Sequence, residues 1–246
     1  NNMIIEKQKN LPLIIIENAE NAQVISNFLK TENLMGKYAV KTINVTNLTI
    51  EFNKPGTIIT NENYNQYFTN QILNSDIDVI ELGSNFYNKN MIFNHKVLIE
   101  NPNNYTIYNG TLIFTENATN SNITGINIHN TDDRQTSLEI YSNSINIIKN
   151  TLYQENTNNP AKTIIVNNTG SVGFSRNNIT TIGKNVTIIT LNNLKIITSV
   201  SNIINGKGSN ITAIEVTNSK TAAIIRITTN NITLESENPI TAVRFI

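Results

Sequence analysis

Two series of short apolar segments recur through the second half of the chain, and this repetition constrains the fold more than any other feature. One series reads NITGINIHN from 122, TIIVNNTG from 163, VTIITLNN from 186, ITAIEVTNS from 211 and TAVRFI from 241. The other reads SINIIKNTL from 144, SVGFSRNNIT from 171, LKIITSVSNII from 194 and AAIIRITTNNIT from 222. Most successive members lie roughly 22–30 residues apart, within the range that marks solenoids. Each unit offers about three short strands between Asn or Gly turns. Ile, Val and Thr are stiff at the first side-chain torsion and favour strands. Asn tolerates the left-handed region and bonds its own backbone, so it marks turns. The period is too short for a propeller blade of about 40–45 residues, and the spacing of leucine-rich repeats and calcium-binding β-rolls is missing. The pattern predicts an all-β fold: a right-handed parallel β-helix, the hand following from the rule for parallel crossovers. Rungs would stack about 4.8 Å apart, with Ile and Val inside and turn Asn amides bonded along the axis as ladders.

Composition narrows the functions open to such a chain. It holds 48 Asn, 42 Ile and 30 Thr in 246 residues. Charged residues are 15 %, against about 25 % in ordinary globular domains. Formal net charge is zero and no basic run occurs, which argues against nucleic acid or an anionic membrane as partner. Cys is absent, so disulfides, thiolate metal sites and a Cys nucleophile are excluded. Hydrophobic residues at 39 % are too many for a disordered chain. No apolar stretch approaches the roughly 18 residues that a membrane helix needs.

Residues 1–55 read differently from 56–246. Met3 to Ile5 and Leu13 to Ile16 suggest strands. Asn18 could cap a helix running to about Met35, ended by Gly36, with Val24, Ile25, Phe28 and Leu29 as its apolar face. The expectation is a small N-terminal α/β cap followed by the β-helix, whose 57–246 portion would make seven or eight rungs at about 25 residues each. The strand-like Thr241 to Ile246 with no polar cap suggests a piece of a longer chain. Further strands are expected at 57–60, 78–82, 91–93, 96–100, 105–108 and 111–114, with a short helix or aromatic loop over 61–70.

The Asn/Ile/Thr-rich coils, the stretch ITNENYNQYF at 59–68, and DVIELGSNFYNKNMIF followed by KVLIE over 78–100 resemble the adhesin-like surface proteins of gut methanogenic archaea. Those proteins carry right-handed parallel β-helix domains of the pectate-lyase-like type. The resemblance covers roughly residues 55–246. It implies a secreted, cell-surface protein that attaches to glycans or to proteins of other cells; a monomer without catalysis or cofactor is expected. A polysaccharide lyase or hydrolase and a passive stalk are the alternatives.

Candidate chemistry is sparse. Hydrolysis on a β-helix needs inward-leaning carboxylates acting as acid and base, and the chain has only four Asp. NTDDR at 130–134 is similar to the hydrolases' Asn-Thr-Asp motif, but no Asp or His follows residue 134. Asp132, Asp133 and Glu139 are therefore at most a weak acidic site. His95 and His129 read as turn or surface residues, because neither has further ligands nearby in sequence, and no metal site is expected. Tyr64, Tyr67, Tyr87, Tyr105 and Tyr108 could contact glycans, or could instead pack the first coils. Sequons at Asn44, Asn47, Asn104, Asn109, Asn117, Asn122, Asn167, Asn178, Asn185, Asn210 and Asn231 are possible N-glycosylation sites.

Overall fold

The structure is a computed structural model that describes residues 2–7, 11–30, 34–68, 77–131, 136–167, 170–218 and 224–246. It is a parallel β-solenoid of about nine turns. The chain divides into two compact units, residues 1–58 with 76–81, and residues 59–75 with 82–246.

In the first unit, successive coils pair strand for strand. Met3–Ile5 lies parallel to Phe28–Lys30, Ile14–Glu17 to Val40–Ile43, and Gln23–Ile25 to Thr49–Glu51. The offsets are 25 or 26 residues, one coil. Val24, Leu29 and Ala39 form a small core, packed by Ile4, Leu13, Ile14, Ile16 and Val40 among others. The expected helix over 18–35 is not formed. Among its described residues, Gln23–Ile25 and Phe28–Lys30 are strands. Ser26 between them adopts φ 57°, which turns the chain through a corner. Val24 and Leu29 then face inward from two different strands, while Ile25 is exposed. The α/β cap is thus replaced by coils of the same kind as the rest.

The second unit repeats three faces. One carries Leu98–Glu100, Asn122–Thr124, Ile145–Ile148, Ser171–Ser175, Ile196–Val200 and Ile224–Thr228 in parallel order. The next starts with Phe86–Tyr87, Thr106–Tyr108 and Asn127–Asn130, then runs into the long strands Thr151–Asn167 and Asn178–Asn192. The third carries Met91–Phe93, Leu112–Phe114 and Leu138–Ile140 and joins the same long strands. Inward columns stack like on like: Phe86, Ile107, Ile128, Leu152, Ile179 and Ile204 are all buried in register. The segment from 122 belongs to the second repeat series, since Asn122 pairs with Asn146. The short helix is present as Tyr64–Tyr67.

Four successive corners between the first two faces follow one rule. Lys149, Arg176, Ser201 and Thr229 take φ between 54° and 57°. Each is followed by an Asn, at 150, 177, 202 and 230. A left-handed conformation costs a non-glycine residue roughly 1–2 kcal/mol, and the following Asn offsets it. Asn177 Nδ2 donates to Ile147 O at 2.8 Å and to Asn202 Oδ1 at 2.8 Å, while its Oδ1 accepts the Asn150 backbone N–H at 2.9 Å. Asn202 repeats the pattern toward Asn230. Asn27 and Asn53 do the same in the first unit after Ser26 and Phe52. The expected amide ladders therefore exist, and the buried ones bind backbone groups as well as each other.

Candidate functional site

An outward column on the second face carries Tyr87, Tyr108, His129 and Tyr153 in direct register. Strand alternation sets this arrangement. Phe86, Ile107, Ile128 and Leu152 point inward, so their successors point out. Tyr87 and Tyr108 stack at 4.9 Å between centroids, with 8° between ring planes. His129 and Tyr153 stack at 4.5 Å and 7°. The two pairs meet at a tilted contact, Tyr108 to His129, of 5.9 Å and 57°. The column continues to Thr180. Tyr87 is 57 % exposed, and the other three rings are half-buried.

Polar, uncharged residues flank the column on its N-terminal side. Two residues earlier on each strand stand Asn85, Thr106, Asn127 and Thr151, with Thr106, Asn127 and Thr151 paired in register. Asn85 Oδ1 accepts the Thr106 backbone N–H at 2.8 Å. At the far end, Tyr153 donates its hydroxyl to Glu155 Oε2 at 2.6 Å. That hydrogen bond, with some burial and the carboxylate's charge, pushes the Tyr153 phenol up to about 12.

Of the aromatic residues singled out from sequence, Tyr87 and Tyr108 belong to this column. Tyr64 does not: it is buried, stacked on Phe68 at 4.9 Å, and burial raises its phenol above the usual range. Tyr67 and Tyr105 are half-buried elsewhere. His129, expected as a turn or surface histidine, faces outward as an inner rung of the stack, and Tyr153 is its missed end. The signal was present: Tyr87, Tyr108 and His129 are each 21 residues apart, and Tyr153 follows after 24. His95 Nδ1 lies 3.1 Å from Asn94 Oδ1.

Asp132 and Asp133 lie outside the described residues. Glu139 faces outward and accepts the Tyr141 hydroxyl at 3.1 Å, and Tyr141 is held above its usual range by burial first and then by Glu139. No group of three or more His, Asp or Glu placed to hold a metal occurs among the described residues. No helix among them is long and apolar enough to cross a membrane.

The sequon asparagines divide by their hydrogen bonding. Asn44, Asn47 and Asn210 are exposed, yet each donates its amide to the Asn one coil earlier, Asn18, Asn21 and Asn185. Asn122 accepts from Asn146 and Asn109 from the Thr131 backbone. Asn104, Asn117, Asn178, Asn185 and Asn231 are exposed, and Asn167 is half-buried. No protein-family model, curated protein or solved structure matches the chain.

Proposed function

We propose that this chain is an attachment module, displayed outside the cell, that binds glycans through its aromatic column. The observation that carries the reading is the stack of Tyr87, Tyr108, His129 and Tyr153 standing on an exposed sheet face. The rings are only partly buried, and amphipathic rings beside amide and hydroxyl groups suit ligands that are partly apolar and rich in hydroxyls. Individual contacts of this kind are weak, and repetition along the coils supplies avidity. The display outside the cell rests on the resemblance of the coils to archaeal adhesin-like proteins.

The test is retention of the protein on a panel of immobilised plant, microbial and host polysaccharides, with release of reducing ends and unsaturated products followed in parallel. The reading expects retention on at least one polysaccharide, no release, and loss of retention in the Tyr87→Ala/Tyr108→Ala double variant. Release of product would overturn it in favour of an enzyme. Absence of retention on every polysaccharide would leave a passive stalk.

A further inference from the structure

The geometry of the column specifies how a ligand must lie and what chemistry it must have; this inference rests on the attachment reading above. Within each stacked pair the ring planes are nearly parallel, at 8° and 7°. A sugar cannot enter between two such rings, because each already covers the other's face. What the column offers outward is a row of ring edges and polar atoms: phenol oxygens at Tyr87, Tyr108 and Tyr153 and the imidazole of His129. The row advances one coil per rung, about 4.8 Å, and runs along the solenoid axis over four coils.

A ligand that uses all four rungs must therefore be an extended polymer whose repeat is close to the rung spacing. An extended polypeptide advances about 3.3 Å per residue and loses register after one rung. A single-stranded nucleic acid needs phosphate counter-charges, and the flanking column of Asn85, Thr106, Asn127 and Thr151 has none. Among the described residues of these strands, the carboxylate that touches the column, Glu155, already accepts from Tyr153. A β-1,4-linked sugar chain is extended, advances about one rung per sugar, and presents hydroxyls on both edges that suit the amides and hydroxyls of the flanking column. We infer that the column binds a neutral β-1,4-linked glycan laid along the solenoid axis, one sugar to each of four coils.

The experiment is titration of the intact chain with neutral β-1,4-linked glucose and N-acetylglucosamine oligosaccharides of one to eight sugars. Affinity is expected to tighten several-fold with each added sugar up to four and to change little beyond. Thr180, the next residue of the column, supplies a variant that adds rather than removes: Thr180→Tyr should move the plateau to five sugars. Equal affinity from the disaccharide upward, or a plateau unmoved in Thr180→Tyr, would mean that the ligand crosses the column and would overturn this inference while leaving attachment intact. Retention on insoluble polysaccharide without binding of any of these oligosaccharides would overturn the ligand class. Binding of neither would overturn both readings.

Discussion

Replacing Asn177 by Ala removes the middle of the buried amide ladder and tests how the corners are held. Asn177 is 1 % exposed. The truncation deletes its two donated bonds, to Ile147 O and Asn202 Oδ1 at 2.8 Å each. It also deletes two accepted bonds, from the Asn150 backbone N–H at 2.9 Å and Asn150 Nδ2 at 3.0 Å. Asn150 Nδ2 keeps Ile123 O at 3.1 Å, but the Asn150 N–H loses its acceptor inside the corner. An orphaned buried donor costs about 1–3 kcal/mol, and each other lost bond about 0.5–1.5 kcal/mol net. The expected loss is about 2.5–7.5 kcal/mol, a large part of a typical domain's 5–15 kcal/mol. Asn146→Ala is the control: its amide makes one exposed bond, to Asn122 Oδ1 at 2.9 Å, and should cost under about 1 kcal/mol. Urea unfolding followed by circular dichroism compares the two. Hydrogen exchange over 145–178 detects local opening, since coils contact mainly their neighbours and can fray separately. Equal destabilisation by the two variants would refute the claim that the buried ladder holds the corners.

Gly208 has φ 141° and lies against the Gly183 backbone, where a Cβ would overlap the Gly183 carbonyl, so Gly208→Ala should cost more than about 2 kcal/mol in thermal unfolding. Arg176 occupies a left-handed corner at φ 57°, and Arg176→Gly should stabilise by about 0.5–1 kcal/mol in the same assay. Tyr153 should ionise near 12 in an ultraviolet titration, and Glu155→Gln should bring it back toward 10. Because its folded value lies above the unfolded 10.0, its contribution to stability is fully present below pH 10 and is lost as pH rises through about 12.

The strand framework was legible because each strand is a run of three or four apolar or β-branched residues bounded by Asn or Gly. Met91–Phe93 coincides with its expected span, and Leu98–Glu100, Thr106–Tyr108 and Leu112–Phe114 each fall within theirs. Corners misled where they copied a helical period. Val24, Ile25, Phe28 and Leu29 match one face of a helix, but a left-handed Ser26 places Val24 and Leu29 on two strands that both face the core. Such a conformation at Ser, Lys, Arg or Thr is marked in sequence only by the Asn that follows it, and not, as at Gly or Asn, by the residue itself. The aromatic column depends on register across coils of unequal length. Only the two equal 21-residue steps from Tyr87 to Tyr108 and from Tyr108 to His129 hinted at it, and the ring of Tyr153 joins after a longer coil.

Side-chain oxidative footprinting of the free protein and of the protein saturated with its retained polysaccharide locates the bound polymer on the coils, because Tyr and His rings report their own solvent access. The account expects protection of Tyr87, Tyr108, His129 and Tyr153 together, with Tyr38, exposed in the first unit, unchanged. Protection that spares the column, or that falls on Tyr38 alone, would contradict it.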